Sequence, residues 1–478
     1  MFFGREDVLS QLTALWGKRV SSLVTCRGRR RIGKSTVIEK FAEQTGSRFI
    51  KIEGKRPRQG MSNESELQEF ARQLADQCDT ERSVPLDWRD AFRRLDSVIR
   101  DVEKTVVLLD EVSWLAYYAD DFADDLKILW DNKLKKHDHL VLVLCGSVSS
   151  WIKDNIVDNG AYMGRRSLDI VVRELPLREC VKFWGAAAER MATKDILDVL
   201  SVTGGVPRYL EEINPALSAA ENIQNLAFRP NGVLRVDFDE MFSDVITRRP
   251  RFAAEILESL VDGPIGTHEI ARRLDIGRSG NITLALNQLE EAGFVSADAG
   301  INPETGDETK DRHYRLRDNY SRFYLKCIRP AARIIDEGSY AFHSLEQFSE
   351  WDAIMGLAFE NLVVNNYREL LRPLHMDKAL ITSAAPFRRA ASGKTGRKGV
   401  QIDLLLQTKM SLCVVEIKRK REIGRGIVGE LSEKCERLAK RPGVSLRTAL
   451  VYDGELAPSV EAEGYIDSVV SARQLLGL

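Results

Sequence analysis

Apolar residues in the first third of the chain form short continuous runs separated by amphipathic stretches. The runs lie at 22–26, 105–109, 140–145 and 168–172. Continuous apolar runs are typical of parallel strands that helices cover on both faces. The pattern predicts an α/β domain with a parallel sheet, and the charged helical segment near 55–100, with Trp88 and Phe92, is expected to cover that sheet.

The middle of the chain changes to short amphipathic helices followed by short strands. Gly263-Pro264 separates the first two helices, and Thr267 and Ser279 are the expected N-caps of the last two. The predicted helices cover 256–260, 267–274 and 279–292, and the predicted strands cover 294–296 and 312–316. Three helices followed by a hairpin predict a helix-turn-helix with a wing.

The last part of the chain returns to a strand pattern. An amphipathic helix is predicted to begin at Gly356, with Glu360 near its start. Strands are predicted at 399–406, 411–418 and 447–452. This order predicts a second α/β domain over 340–478.

Length and composition fit this division. The 478 residues suggest about three domains, and 44% apolar with 29% charged residues is typical of globular protein. The formal charge of −1 means that any affinity for nucleic acid must come from local basic patches. Seven scattered cysteines without a CxxC pair predict reduced core thiols.

Targeting signals are not apparent in the sequence. No apolar run approaches the roughly 20 residues that span a bilayer, and residues 1–7 lack the pattern of a signal peptide. We therefore expect a cytoplasmic protein without a membrane partner.

A glycine-rich loop ending in lysine and serine follows the first strand. Its glycines let the backbone N–H groups point at phosphate oxygens, Lys34 reaches the β- and γ-phosphates, and the Ser35 hydroxyl holds Mg²⁺. This P-loop predicts binding of a nucleoside triphosphate. The predicted contacts are Gly28, Arg29, Arg30, Arg31, Ile32, Gly33, Lys34, Ser35 and Thr36.

The second apolar run ends in two carboxylates, as a Walker B strand requires. Asp110 is predicted to hold the Mg²⁺ shell, and Glu111 to orient or deprotonate the attacking water. The alternative is a buried strand that merely ends in acids, but its combination with the P-loop favours catalysis.

Two later segments offer further groups for phosphate. Ser147 follows the third run and is predicted to sense the γ-phosphate; the alternative is a plain strand-to-loop turn. Arg165 and Arg166 enter the fourth run, where an arginine can stabilise charge on a phosphoryl group of a neighbouring subunit. That role requires a homo-oligomer, and the alternative is a structural arginine pair.

Together these motifs resemble the archaeal-type ATPases of the STAND and AAA+ group, relatives of replication-origin ATPases. Residues 3–6, Phe-Gly-Arg-Glu, are similar to the adenine-side box of these ATPases. Residues 164–177 are similar to their arginine segment, and 203–210 to their lid motif. The resemblance implies ATP as the nucleotide, with Phe3, Gly4, Arg5 and Pro207 on its adenine side. It also implies an ATPase core over 1–172 and a helical lid over 173–228.

The middle module, 229–335, resembles the winged helix found behind such ATPases. If it binds DNA, its third helix enters the major groove. The groups for base edges are then Asn281, Thr283, Asn287 and Gln288, and those for phosphates are Arg278, Arg312 and Arg315. The acidic segments 290–291 and 304–311 favour the alternative, an intramolecular or oligomer contact.

Candidate chemistry in the last module is a set of acids and a lysine. Asp403 lies in one strand, and Glu416 and Lys418 lie on one face of the next strand. Carboxylates bind Mg²⁺ or Mn²⁺, and lysine steadies the attacking water. These residues resemble the PD-(D/E)XK nuclease-like superfamily, with Glu360 as a further expected metal ligand.

Basic residues flank this set on both sides, at 388–389, 394–398 and 419–421. They are predicted to hold a polyanion backbone against the metal; the alternative is a solvated face.

The whole chain is thus predicted to be a multidomain α/β protein: a P-loop ATPase with parallel sheet and helical lid, a winged helix-turn-helix and a restriction-endonuclease-like domain. Its predicted function couples ATP hydrolysis to binding and metal-dependent cleavage of nucleic acid, with DNA favoured over RNA. The alternative is a STAND-type signalling ATPase whose nuclease-like domain binds but does not cut.

Overall fold

A computed structural model describes most of the chain in two compact units. The first unit is Gly4–Arg173, and the second joins residues 1–3 to Glu174–Leu478. The described residues are 2–18, 20–100, 103–147, 149–245, 250–277, 280–308, 312–348, 350–391, 396–438 and 440–478.

The first unit contains a parallel sheet of five strands in the order β2-β3-β4-β1-β5. Its strands are β1 (Ser22–Arg27), β2 (Arg48–Glu53), β3 (Thr105–Asp110), β4 (Leu140–Gly146) and β5 (Arg166–Val171). The predicted parallel sheet is confirmed, although β5 begins two residues before the predicted run. Strands β3 and β4 are buried along their whole length, as their continuous apolar sequences require.

Helices cover this sheet, and two of them begin at side-chain caps. Ser62 accepts the N–H of Ser65, and Asp87 accepts the N–H of Asp90. Trp88 is buried beside Phe122, with ring centroids 4.7 Å apart, so the predicted helical covering is confirmed. The helices are α1 (Glu6–Trp16), α2 (Lys34–Thr45), α3 (Asn63–Gln77), α4 (Trp88–Val98), α5 (Val112–Leu115), α6 (Phe122–Asn132) and α7 (Ser149–Ile152).

The second unit begins with a group of helices at residues 177–245. Gly205 sits at φ 76°, and a Cβ there would lie 3.0 Å from the carbonyl oxygen of Leu175, whose N–H donates to the Gly205 carbonyl. The turn before α10 therefore packs tightly on the residues before α8. The helices are α8 (Leu177–Val181), α9 (Thr193–Thr203), α10 (Pro207–Leu210), α11 (Ala219–Ala227) and α12 (Val233–Val245).

Three helices and a three-stranded antiparallel sheet follow, with strand order β6-β8-β7. Thr267 was predicted as the N-cap of its helix, but it is the first helical residue, and Gly266 is the N-cap. Ser279 and Arg278 lie outside the described residues. The elements are α13 (Pro250–Ser259), β6 (Ile265–Gly266), α14 (Thr267–Arg273), α15 (Gly280–Glu291), β7 (Val295–Asp298), β8 (His313–Leu316), α16 (Asn319–Phe323) and α17 (Ala332–Asp336).

The last part of this unit contains a mixed sheet in the order β13-β12-β11-β10-β9. Strands β9, β10 and β11 are antiparallel neighbours, whereas β11, β12 and β13 run parallel. The elements are α18 (Trp351–Asn365), α19 (Tyr367–Leu370), β9 (Ser383–Arg389), β10 (Val400–Gln407), β11 (Ser411–Ile423), α20 (Gly426–Arg437), β12 (Ser445–Leu456), α21 (Pro458–Ala462), β13 (Ser468–Ser471) and α22 (Ala472–Leu476).

Helix α18 corrects one expectation from the sequence. It begins at Trp351, five residues before the predicted start at Gly356, so Glu360 lies in its second half. Trp351, Ile354 and Met355 are buried, and their packing extends the helix towards its N-terminus.

Buried amides join α18 to the β8–α16 segment. The Asn361 side chain donates to the Leu316 carbonyl at 2.7 Å and to the Asn319 side chain at 3.0 Å. Asn319 in turn donates to the Ala358 carbonyl at 3.0 Å. Because these groups are buried and paired, each contact fixes the position of α18.

All seven cysteines are buried, which confirms their predicted place in the core, and their reduced state stays a prediction. None of the helices in the described part of the chain has the length and apolarity that a membrane crossing requires.

Gly454 provides a test of the β11–β12 pairing, whose register shifts between Arg419 and Glu422. Gly454 has φ 130°, and a Cβ there would overlap the carbonyl oxygen of Lys420. We expect Gly454→Ala to lower the free energy of unfolding by about 2–4 kcal/mol. Gly424→Ala is the matched control, because nothing lies within 4 Å of its Cβ position. Equal stability of the two variants in denaturant titrations would contradict this account.

Candidate functional site

The glycine-rich loop lies between β1 and α2. Gly33 has φ 84° and precedes the first residue of α2, Lys34. The Lys34 ammonium is buried and donates to the Arg29 carbonyl at 3.1 Å. A Cβ on Gly28 would overlap the Val172 carbonyl, so only glycine fits at the start of the loop.

Two groups predicted to hold Mg²⁺ lie side by side at the ends of α2 and β3. The Ser35 hydroxyl donates to Asp110 Oδ2 at 2.5 Å. The Lys51 ammonium lies 3.4 Å from the same oxygen. A hydroxyl and a carboxylate in contact form a donor set suited to a hard cation.

Glu111 contacts the residue predicted as a phosphate sensor. It is the residue after β3 and has φ 47°, which is uncommon for a residue with a Cβ. Its Oε2 accepts the Ser147 hydroxyl at 2.8 Å and the Ser147 N–H at 3.1 Å. Ser147 therefore holds Glu111, a contact that the sequence did not predict.

The two candidate arginines of the arginine segment are held within the first unit. Arg165 forms two hydrogen bonds with Asp131 of α6, at 2.8 and 2.9 Å, and this pairing lowers the pKa of Asp131 to about 2. Arg166 donates to the Val157 carbonyl at 2.9 Å. Both contacts favour the structural alternative, and a role towards a neighbouring subunit stays a prediction.

The remaining adenine-side residues lie at the N-terminus and at α10. The Arg5 guanidinium donates to the Ile32 carbonyl of the P-loop at 2.9 Å. In the second unit, Phe3 packs edge-on against Phe183, with centroids 4.9 Å apart, and Pro207 is the first residue of α10. Gly4 and Arg5 both have positive φ, which bends the chain there.

The three arginines of the P-loop differ in burial, backbone conformation and aromatic contact. Arg29 is buried, and Arg31 has φ 66°. The Arg30 guanidinium lies 5.8 Å from the ring centroid of Trp114, within range of a cation–π interaction.

The second unit brings the predicted acids of the last module together. Asp403 lies on β10, Glu416 on β11 and Glu360 on α18. Glu416 is fully buried, and Asp403 accepts the Ile417 N–H at 2.9 Å. Asp403 and Glu416 share Lys434, and the charges of both acids act to raise the pKa of Glu360, so the three acids interact electrostatically.

Two lysines neutralise part of this charge. The Lys418 ammonium lies 2.8 Å from Glu416 Oε1, as expected for two residues on one face of β11. It also lies 3.0 Å from Glu430 of α20. Lys434 of α20 pairs with Glu416 and lies 3.8 Å from Asp403. Each lysine side chain is a little over one-fifth exposed.

Burial sets the protonation of the acids. Burial and the nearby Asp403 together raise the pKa of Glu360 to about 7, against the opposing charges of Arg322 and Lys418. Burial and the charge of Glu416 likewise raise the pKa of Asp403. The cluster therefore resists full ionisation unless a cation shares it.

Sequence reasoning missed Lys434 and Glu430. Both lie on α20, four residues apart, so they share the helix face towards β11. An acid and a lysine at this spacing, directly after a Glu-x-Lys strand, were the available signal.

Among the described residues, no group of three or more His, Cys, Asp or Glu forms a ready metal site.

Predicted nucleic-acid contacts have mixed outcomes. Arg315 is wrong as a phosphate contact, because it is buried and pairs with Asp298 at 3.1 Å. Asn281, Thr283 and Asn287 are exposed on α15. Lys394 lies outside the described residues.

Comparison with known proteins supports the first module. Residues 2–213 match the family described as an ATPase domain predominantly from Archaea. An uncharacterized protein of Methanocaldococcus jannaschii is 22% identical over 423 residues, 88% of each chain. The chain therefore contains an archaeal-type ATPase domain, and the family match supports an ATPase function.

Two solved structures are similar to parts of this chain. The Walker-type ATPase of Pyrococcus abyssi is similar with a TM-score of 0.50 and 17% identity, over 68% of this chain and 96% of that one. The ORC2 protein of Aeropyrum pernix gives a TM-score of 0.43 at 13% identity, over 70% and 94% of the two chains. The first of these likenesses shows a P-loop ATPase fold.

The raised pKa of Glu360 predicts a pH-dependent effect of Glu360→Gln in chelator. Between its ordinary value of 4.5 and about 7, the folded state retains a proton that the unfolded state releases, so wild-type stability falls as pH rises through this window. We expect the variant to be more stable than wild type by about 1–3 kcal/mol at pH 8 and equal at pH 5.

Thermal and denaturant unfolding at both pH values measure this difference. Glu255→Gln, at an exposed position of α13, is the control and should leave the pH dependence unchanged. A Glu360→Gln protein with the wild-type pH profile would contradict the assignment.

Proposed function

We propose that this protein couples ATP hydrolysis to the binding and metal-dependent cleavage of nucleic acid, with DNA favoured over RNA. The carrying observation is the buried cluster of Glu360, Asp403, Glu416 and Lys418, which three separate elements bring together. The proposed domains are 1–172 for the ATPase core, 173–228 for a helical lid, 229–335 for a winged helix and 340–478 for a nuclease-like domain.

The ATP site combines the P-loop with Asp110 and Glu111. Lys34 is proposed to bind the β- and γ-phosphates once it leaves the Arg29 carbonyl. Mg²⁺, where bound by Ser35 and Asp110, neutralises phosphate charge. Glu111 orients the attacking water, and Ser147 holds Glu111 in position through its two hydrogen bonds.

The order of elements in the last module supports a nuclease-like assignment. A helix with an acid, α18, precedes three antiparallel strands, and α20 links β11 to the parallel strand β12. Asp403 and the Glu416-x-Lys418 pair lie on the two middle strands of this arrangement. The proposed catalytic lysine, Lys418, contacts Glu416 directly.

The donor set fits a divalent cation. Carboxylate oxygens are the preferred ligands of Mg²⁺ and Mn²⁺, and close burial raises the pKa of two of the three acids. Glu360, Asp403 and Glu416 are the proposed ligands, and they must move towards the ion, because no three acids of the described residues form a ready metal site. A cation bound there would lower the pKa of the attacking water and stabilise negative charge on the phosphate. Lys418 would donate hydrogen bonds to the anionic intermediate.

An ion-pair chain links the proposed lid to the strand that carries the catalytic lysine. Arg419, the residue after Lys418, pairs with buried Asp198 of α9 and with Asp453 of β12 at 3.1 Å. Lys194 also pairs with Asp198, at 2.8 Å. A lid that responds to ATP would therefore act on β11 through charged groups whose separation is costly.

The exposed face of α15 is proposed to contact DNA, with Asn281, Thr283 and Asn287 available for base edges. Arg165 and Arg166 are proposed to reach a neighbouring subunit of a homo-oligomer, which requires Arg165 to leave Asp131.

A second candidate is a STAND-type regulatory ATPase whose last domain binds nucleic acid without cutting it. The observation in its favour is Lys434, whose ammonium contacts both Asp403 and Glu416. That position lies between two proposed metal ligands, so metal binding requires Lys434 to move.

Lys34→Ala tests the ATP site. We expect ATP hydrolysis to fall at least about a hundredfold, because the variant lacks the ammonium that stabilises negative charge on the phosphates in the transition state. The control is Lys40→Ala, on the same helix but paired with Glu43 at the surface. Steady-state phosphate release measures both, and undiminished hydrolysis by Lys34→Ala would refute the site.

Asp403→Asn and Glu416→Gln test cleavage while keeping side-chain shape. We expect each to reduce Mn²⁺- or Mg²⁺-dependent cleavage of single-stranded and plasmid DNA at least about a hundredfold, with ATP hydrolysis unchanged. Asp352→Asn, which removes an exposed acid from the first turn of α18, is the control. Wild-type protein that binds DNA but cuts none of these substrates would favour the second candidate.

A further inference from the structure

A cleft of about 910 Å³ lies beside the carboxylate cluster in the second unit. Lys434 and Glu430 of α20 belong both to its wall and to the cluster, and Arg388 in the wall interacts electrostatically with Glu360 and Asp403. Whatever occupies the cleft is therefore adjacent to the proposed reacting groups.

One wall of the cleft is basic. It is formed by β9, the start of β10 and α20, and its cations are Arg388, Arg389, Lys434 and Arg437. Two acids of α20, Glu430 and Glu433, line the same wall but pair with Lys418 and Arg437, so cations outnumber acids there. Arg388 is half-buried, and this burial lowers its pKa, so the guanidinium is a weakly hydrated donor that suits phosphate.

The opposite wall is acidic. It is formed by residues 299–308, which follow β7, and it presents Glu304, Asp307 and Glu308 to the cleft. Asp307 and Glu308 are exposed side chains. A phosphate backbone placed against this wall would meet like charge.

The acidic loop is fastened to the sheet of the last module. Glu304 forms two hydrogen bonds with Arg397, at 2.7 and 2.9 Å. The Ile301 carbonyl accepts from Gln407 at 2.5 Å, and the Pro303 carbonyl accepts the Arg441 N–H at 3.0 Å. Gln407 and Arg397 lie at opposite ends of the β9–β10 pair, so the loop runs along that pair as a fixed wall.

We propose that this cleft binds one single strand of nucleic acid and that the acidic loop excludes a second strand. The inference rests on the proposed function and names the substrate of that same site. A single backbone can lie along the basic wall, whereas a duplex brings a second row of phosphates towards Glu304, Asp307 and Glu308.

The volume agrees with this assignment. About 910 Å³ is near the upper end of the roughly 300–1,000 Å³ of small-molecule sites, which is room for a few nucleotides. A duplex, whose major groove alone is about 12 Å wide, needs more space. Rejection of the wrong partner by a placed like charge is a common source of specificity.

The experiment is fluorescence anisotropy in chelator at fixed salt, so that no cleavage occurs. The full chain carries Asn281→Ala, Thr283→Ala and Asn287→Ala, exposed changes that remove the proposed duplex contact of α15. The probes are a labelled single strand longer than the roughly 4–16 nucleotides of a typical single-strand site, its annealed duplex, and a single RNA strand of the same sequence. We expect the single strands to bind at least about tenfold more tightly than the duplex, and the RNA arm decides between the two nucleic acids.

Two variants test the two walls. Arg388→Ala should weaken single-strand binding roughly fivefold or more, whereas Arg447→Ala, in β12 and away from the cleft, should not. Glu308→Gln, at an exposed position of the acidic loop, should strengthen duplex binding and reduce the preference. Glu337→Gln is its control, an exposed acid that faces Arg333 at 4.0 Å.

Duplex binding as tight as single-strand binding in this α15 background, or an unchanged preference when Glu308→Gln is added to it, would overturn this inference. Such a result leaves the proposed cleavage standing if Asp403→Asn still abolishes it. Single-strand preference without any cleavage overturns the proposed cleavage and supports the cleft assignment.

Discussion

Confining three carboxylates in one largely buried cluster is the constraint on which the second unit depends. Like charges at short range in a medium less polar than water repel strongly, and burial removes the hydration that would otherwise offset this cost. The raised pKa of Glu360 expresses that cost. Lys418 and Lys434 neutralise part of the charge, and a divalent cation would neutralise more. Acids with strongly perturbed pKa values concentrate at functional sites, which is why this cluster supports the proposed function.

The rest of the unit holds the cluster in place. Buried amides of Asn319 and Asn361 fix α18, and therefore Glu360, against the preceding module. Arg419 ties β11 to α9 through Asp198, so the strand with Glu416 and Lys418 is joined to the proposed lid. Because these contacts are buried and charged or hydrogen-bonded, the elements have few alternative positions. The proposed lid and the strand with the proposed catalytic lysine are thereby joined within one unit.

Much of the fold could be read from local sequence. The buried runs that became β1, β3 and β4 are continuous apolar segments, and such segments have few alternatives to a covered parallel strand. Boundaries were less predictable where packing decides them, as at α18, whose start depends on buried Trp351 and Ile354. Arg315 was misassigned because its partners, Asp298 and Asn361, come from a hairpin neighbour and from a helix 46 residues away.

The sequence by itself determined the chemistry that short spacing encodes: the P-loop, the paired acids Asp110 and Glu111, and the Glu416-x-Lys418 face, because these groups are adjacent along one element or one turn. Only the tertiary structure decided which distant groups meet them. Ser147 on Glu111, Asp131 on Arg165, Lys434 on Glu416 and the acidic loop opposite Arg388 all depend on contacts between separate elements. Periodicity specifies the face of a helix or strand, whereas long-range packing selects the partner of that face.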